Sequence, residues 1–311
     1  MDICIIEPCG GHKHMECIGF LLDIFKDLNV RVYYSNDKHD WIKYFKQLYK
    51  FDTENVNNIV RDLNEINNCK KVINLTADKF FPLFTKINNA NTYDIHHLKH
   101  ARNSIDNVIR LVKNREPHDV AVTGKYKENH HCYSIFEGNS KQYENEEKNI
   151  VMWCGWCKGG AFSEIYEKNF KDWNDKMKYK LQFFWTGGGR DSALKFLRKE
   201  IGEENVHRNI KSPYLPHFFK NVRFIMIRPL LVYGERLWSG GVTLALSHNI
   251  PIIIKESYRN VIEVPGITYK ENYNEVYDKI NNMSREEYQH EISRIKRFKL
   301  IIREKERKEL L

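Results

Sequence analysis

Four glycine-rich turns give this chain the means to hold a phosphate: Gly10-Gly11, Gly155 to Gly160, Gly187 to Gly189 and Gly240-Gly241. Each falls where an apolar, strand-like run passes into a helix-like one. There the free N–H groups of a helix start and its partial positive charge attract anions, and glycine lets an oxygen approach the backbone. None of the turns matches G-x-G-x-x-G or the P-loop pattern, which argues against NAD binding and Walker-type ATP hydrolysis. His12 lies beside the first turn and titrates near neutrality, which suits it to orient a hydroxyl or take its proton. Trp153-Cys154-Gly155-Trp156-Cys157-Lys158 is a C-x-x-C preceding a helix-like run, the arrangement that supports disulfide exchange. No metal site is expected, because neither Cys4 with Cys9 nor His130-His131-Cys132 has ligand spacing. The seven cysteines are odd in number and irregularly placed, so reduced, mostly buried thiols are the expectation.

The elements that position these residues alternate. Ile3 to Glu7 reads as a strand, Met15 to Leu28 as an amphipathic helix and Val30 to Tyr34 as a second strand, one βαβ unit and hence a parallel sheet. A polar helical region is expected over Trp41 to Asn67, strands at Lys71 to Leu75, Thr92 to His97 and Asp119 to Thr123, and a helix over Asn107 to Lys113. Glu137 to Asn149 is charged and poor in apolar residues, and reads as a linker. A second series follows: strands at Asn149 to Trp153, Lys180 to Thr186, Val222 to Ile227 and Pro251 to Ile254, with helices at Phe162 to Met177, Asp191 to Ile201 and Ser239 to Ser247. Tyr273 to Met283 and Arg285 to Glu306 read as two terminal helices. The predicted architecture is α/β with two Rossmann-like, doubly wound parallel-sheet lobes and a cleft between them: residues 1–140, residues 149–283, then a C-terminal helix over 284–311.

With 311 residues, 41% of them hydrophobic, the chain has enough apolar material for two ordinary cores. No run approaches the roughly 20 apolar residues of a membrane-spanning helix. Met1 to Cys9 lacks the basic n-region of a signal peptide, so a cytoplasmic location is the default expectation. The net charge of +9 suits an anionic partner, whether a phosphorylated small molecule, a nucleic acid or an acidic membrane surface.

The segment Tyr214 to Ile254, YLPHFFKNVRFIMIRPLLVYGERLWSGGVTLALSHNIPIII, resembles the donor-binding core of GT-B glycosyltransferases, most of all the retaining family-4 type. The shared order is a Leu-Pro helix at Leu215-Pro216, an apolar strand at Val222 to Ile227, and an acidic, glycine-rich loop at Glu235 to Gly241. A small-residue helix around Ala245 and a Pro-initiated strand at Pro251 to Ile254 follow. The likeness extends to Asn149 to Gly159 upstream and to Pro265-Gly266 and Tyr273 to Met283 downstream, and more faintly to the Gly-Gly-His loop at 10–12.

This resemblance implies that a sugar passes from a nucleotide-diphosphate donor to a hydroxyl acceptor without a metal or other cofactor. Glu235 matches the first glutamate of the family's E-x7-E motif, which contacts sugar hydroxyls. Ser239, Gly240 and Gly241 match the loop whose amides hold the distal phosphate; Lys158 with Gly159, and Arg190 after Gly188, match groups that neutralise the diphosphate. His96 and His97 close a strand where the family places a histidine near the donor sugar, and alternation turns only one of them inward. The chain departs from the family at the second glutamate, where Thr243 stands eight residues after Glu235; Thr243 is then a candidate phosphate ligand, and retaining and inverting outcomes both stay open. Two other readings compete: a thiol-disulfide oxidoreductase through Cys154 and Cys157, and a basic protein that binds nucleic acid or glycosylates DNA.

Overall fold

The computed structural model describes residues 2–7, 15–34, 56–58, 63–75, 91–96, 107–110, 128–131, 133, 135–138, 149–155, 173–185, 191–210, 212–227 and 240–311. These fall into two compact units, the first comprising described residues up to 138 together with 300–311, the second comprising 149–299.

The first unit is built on a seven-stranded sheet. Strand β1 (Ile3–Glu7) is buried at every position, as a central strand covered on both faces must be. Helix α1 (Met15–Ile24) crosses back to β2 (Val30–Tyr34), which pairs parallel to β1 in the register Ile3 with Val30. Strand β3 (Val56–Asn58), helix α2 (Leu63–Asn67) and strands β4 (Lys71–Asn74), β5 (Thr92–His96), β6 (Asn107–Arg110) and β7 (Glu128–His131) complete the order β3-β2-β1-β4-β5-β6-β7. Every described strand pair is parallel.

Three local expectations change. Asn107 to Lys113 is expected as a helix, yet Asn107–Arg110 is a strand between β5 and β7; a short run with two aliphatics cannot be told from a helix by periodicity alone. The polar region expected to be helical contains β3, at the outer edge of the sheet, where one side of a strand needs no partner and its residues can be polar. Cys4 and Cys69, expected as free thiols, are joined as a disulfide with Cα atoms 6.3 Å apart, because the turn after α2 brings Cys69 against β1. The strand proposed at Asp119 to Thr123 lies outside the described residues.

The second unit has a six-stranded sheet, also parallel throughout, in the order β10-β9-β8-β11-β12-β13. Its strands are β8 (Ile150–Gly155), β9 (Lys180–Trp185), β10 (Val206–His207), β11 (Val222–Ile227), β12 (Ile252–Lys255) and β13 (Ile267–Tyr269). Helices α3 (Trp173–Lys176), α4 (Asp191–Ile201), α5 (Gly240–Ser247), α6 (Glu256–Ile262) and α7 (Tyr277–Asn282) alternate with them. Phe183, Phe224 and Met226 from the sheet pack with Trp173, Leu197 and Tyr277 in one continuous core. Gly266 lets β13 lie close to β12, since a Cβ there would come within 2.9 Å of the Ile252 side chain and 3.0 Å of Ile254.

The last helix, α8 (Arg285–Leu310), starts with a capping box: the Glu287 N–H donates to Ser284 Oγ at 3.1 Å, and the Ser284 N–H to the Glu287 carboxylate at 2.7 Å. Tyr288, Ile295, Ile302 and Leu310 fall on its buried stripe, spaced three to four residues or a multiple apart. Its early turns serve the second unit, where Tyr288 donates to the Arg223 carbonyl at 3.0 Å. Its last turns serve the first: Arg303 is ion-paired with Asp23 and with Glu137, Arg307 with Asp27, and Lys71 donates to the Leu310 carbonyl at 2.5 Å.

Candidate functional site

In an open parallel sheet, ligands collect beyond the carboxyl ends of the strands where the order of winding reverses. In the second unit the chain winds from β8 outward through β9 to β10, then returns to the other side of β8 to lay down β11, β12 and β13. The reversal therefore falls between β8 and β11, which are paired up to Trp153 with Met226. Next to β8 on the other side is β9, paired up to Gly155 with Trp185. Three adjacent strands, β9, β8 and β11, thus end at one edge.

The segments that leave this edge carry most of the donor residues expected from the sequence. Residues 156–172 follow β8 and include Lys158 and Gly159. Residues 186–190 follow β9, include Gly188 and Arg190, and lead into α4 at Asp191. Residues 228–239 follow β11, include Glu235 and Ser239, and lead into α5 at Gly240. Those six residues lie outside the described residues; the ends of the strands that launch them do not. Gly240 and Gly241 form the first turn of α5. Thr243, the third candidate on α5, is only 1% exposed, its side chain taken into the packing.

One contact at this edge and a cluster at the far end of α5 hold the local geometry. The Tyr273 hydroxyl, on a buried side chain, donates to the carbonyl of Ile227, the last residue of β11, at 3.3 Å. At the far end of α5 the helix closes in a Schellman arrangement. The Ile250 N–H reaches the Ala245 carbonyl at 2.8 Å, the Asn249 N–H reaches Leu246 at 3.1 Å, and Asn249 takes the left-handed conformation with φ of 57°. The buried ammonium of Lys299 donates to the Ser247 carbonyl at 3.2 Å and to Asn249 Oδ1 at 2.9 Å. A cation at the C-terminal end complements the helix dipole. His248 beside it stays neutral: burial first, and then the Lys299 charge, push its pKa down to about 3. The Tyr273 and Lys299 anchors are marked in the sequence by no motif, because each depends on a contact between distant segments.

The histidines belong to the first unit. His96 is the last residue of β5, in register with Arg110 of β6, while His12 and His97 lie outside the described residues. The reversal in this sheet falls between β1 and β4, and two fully buried polar residues, Glu7 and Asn74, end those strands. The sequence reading passed over both. The strands that they end become neighbours only once pairing aligns Ile6 with Asn74 and the Leu75 N–H donates to the Ile6 carbonyl at 3.0 Å.

Cys154 lies within β8, second from its end, and Cys157 lies outside the described residues. A thioredoxin-like domain needs an antiparallel hairpin after its motif; the described strands that follow β8 are all parallel to their neighbours. Among the described residues no group of three or more His, Cys, Asp or Glu side chains is placed to hold a metal ion.

No family model matches this chain. No curated protein matches it either. Solved structures do. HepE of Anabaena, determined with UDP and glucose, superposes with a TM-score of 0.59 at 12% identity, over 97% of this chain and 95% of its own. The DNA-modifying enzyme β-glucosyltransferase, studied with and without uridine diphosphoglucose, gives 0.59 at 14%, over 99% and 97%. A UDP-N-acetylglucosamine 2-epimerase gives 0.53 at 10%, over 94% and 90%. At such identities the likeness speaks for the fold, and it spans nearly the whole of each chain. With its two doubly wound parallel sheets, the chain has the GT-B fold.

Proposed function

We propose that this chain transfers a glycosyl group from a nucleoside-diphosphate sugar, UDP-linked, to a hydroxyl acceptor. The observation that carries the reading is the convergence on one sheet edge: the segments bearing Lys158, Arg190 and Glu235 leave three neighbouring strands, and the last of them runs into the N-terminus of α5. UDP is the nucleotide that accompanies HepE, and uridine diphosphoglucose is the substrate of β-glucosyltransferase.

In this reading the amides of Ser239, Gly240 and Gly241, helped by the glycines at 159 and 188, bind the diphosphate, and Lys158 and Arg190 balance its charge. Glu235 accepts hydrogen bonds from the sugar hydroxyls. The bond between the anomeric carbon and the diphosphate oxygen breaks, the electron pair leaves with UDP, and the acceptor oxygen bonds to the same carbon. The proton released by the acceptor goes to a base, for which His12, His96 and His97 are the candidates. Charge builds on the leaving diphosphate, so preorganised donors there lower the barrier most. Amides and two cations serve that purpose without a metal, and activity is expected to survive EDTA.

Incubation of the protein with UDP-glucose tests this. UDP release should fall by about 100-fold or more in Lys158→Ala and Glu235→Ala. Release in both variants at the wild-type rate would overturn the assignment of the site. The epimerase that shares the fold shows that the same scaffold can rearrange a donor without transferring it, and analysis of the sugar product separates the two outcomes.

A further inference from the structure

The outward face of α8 is independent of the donor site and has its own chemistry. Arg294 to Lys308 contains eight basic residues against two acidic ones, a net of +6 within a chain whose total is +9. Lys299 is buried, and Arg303 and Arg307 are committed to carboxylates of the first unit, so these cations are structural. On the rest of the face Lys305 lies 3.8 Å from Glu309, and Glu304 is exposed beside it. Leu300 is 62% exposed and Ile301 56% exposed, and Leu311, directly after the helix, is 59% exposed. Among the described residues only one other large hydrophobic, Leu28, is exposed. Helical spacing sets Arg297 one turn before the aliphatic pair and Lys305 and Lys308 one and two turns after it, all of them exposed.

We infer that this face docks on an anionic phospholipid surface. The pattern suits that partner: two adjacent aliphatic side chains enter the boundary between headgroups and acyl chains while flanking lysines and arginine stay at the phosphates. A second copy of the chain fits poorly, because two such faces would oppose cation to cation. Nucleic acid fits poorly as well. Single strands are held by stacking on aromatics, and the exposed stripe has none. With two aliphatics and a few cations the attachment is weak and reversible, since firm anchoring takes stronger signals than these.

The inference does not rest on the proposed activity, and its test uses no donor. Purified full-length protein is sedimented with phosphatidylcholine–phosphatidylglycerol vesicles and with pure phosphatidylcholine vesicles. The wild type should bind the anionic vesicles alone, and less as salt is raised. Leu300→Ser with Ile301→Ser, and separately Lys305→Glu with Lys308→Glu, should each lower the partition by about tenfold. Lys199→Glu with Lys279→Glu makes the same change in net charge at exposed positions of other helices and should leave most of the binding. All four positions of the stripe variants are solvent-exposed, so an unchanged melting curve confirms that each variant is folded. The inference fails if the wild type ignores anionic vesicles, or if the stripe variants bind as well as wild type. It fails equally if Lys199→Glu with Lys279→Glu loses as much as they do. A concentration-dependent dimer abolished by the Leu300 and Ile301 changes, or duplex DNA bound through the same lysines, would assign the face to a different partner and overturn it as well.

Discussion

The ammonium of Lys299 donates to the carbonyl oxygen of Ser247, 3.2 Å away, at the C-terminal end of the helix whose first residues are Gly240 and Gly241. The contact anchors α5 from behind, so the amides at its front keep their place relative to β11. Lys299→Met removes a charge-assisted bond on a buried group and should cost about 1–3 kcal/mol of stability. It should also weaken UDP binding several-fold, although the residue lies at the opposite end of α5 from the proposed phosphate. Denaturant titration and calorimetry with UDP read the two effects separately; undiminished stability would show that the bond holds nothing in place.

Tyr273 acts from a different side, clasping the Ile227 carbonyl at 3.3 Å where β11 gives way to the segment bearing Glu235. Tyr273→Phe keeps the ring packed against Tyr269, whose centroid is 4.3 Å distant, and removes the hydroxyl alone. A loss of about 0.5–1.5 kcal/mol is expected. In a chain of two units this lowers the melting temperature of the second by roughly 2–4 °C. A variant melting with the wild type would show that the hydroxyl contributes nothing to the end of the strand.

Glu306 makes stability depend on pH. It is 2% exposed, accepts from the Tyr133 N–H, and its Oε2 has no partner among the described residues. Burial raises its pKa to about 8 from an ordinary value of 4.5. Between those values the folded protein keeps a proton that the unfolded chain releases, so the unfolded state binds fewer protons and stability falls as pH rises. The loss is complete above the folded pKa. Glu306→Gln keeps the shape and cannot ionise. Its melting temperature should decline less than the wild type's from pH 5 to pH 9, by roughly 3 °C or more. Parallel pH profiles would contradict the assignment.

Glu275 works in the opposite sense. Its carboxylate accepts the N–H groups of Lys270, Glu271 and Asn272 at 2.8, 2.7 and 3.0 Å, binding the turn after β13 to the start of the next helical segment. The bonds to the Lys270 and Asn272 amides chiefly hold its pKa below the usual carboxylate range. The group is almost fully exposed, so water screens much of the effect. Glu275→Gln should lower stability at neutral pH by about 0.5–1 kcal/mol. The difference should vanish in acid, as the wild-type carboxylate is protonated. A penalty that persists unchanged at pH 3 would mean that shape, not charge, makes the cap.

The central strands were legible because burial on both faces leaves an apolar run, as in Ile3 to Ile6 and Phe224 to Ile227, and because strand and helix alternate in a fixed order. Edge strands were not. Glu128–His131 and Val56–Asn58 are short and polar since half their surface needs no apolar partner, and the run Asn107–Arg110 is too short to reveal its period. At the candidate site, the glycines of α5 could be read from local spacing. The supports at Lys299 and Tyr273 could not, because a lysine 52 residues from its partner carbonyl looks like any solvated lysine until the helix is docked. Glu7 and Asn74 escaped for the same reason: strand order, which sequence spacing does not encode, makes neighbours of the two strands that they end. The Cys4–Cys69 link likewise joins residues 65 apart in sequence, with no spacing pattern to announce it.

In the proposed reaction the carboxyl edge of β9, β8 and β11 takes the pyrophosphate. Isothermal titration of the full-length protein with UDP-glucose, with glucose as the comparison, measures this directly. Binding of UDP-glucose in the micromolar range, no binding of glucose at the same concentrations, and a drop of tenfold or more in Lys158→Ala and in Gly240→Pro are expected, each tenfold corresponding to about 1.4 kcal/mol. UDP-glucose that fails to bind, or that binds equally well to both variants, would contradict it.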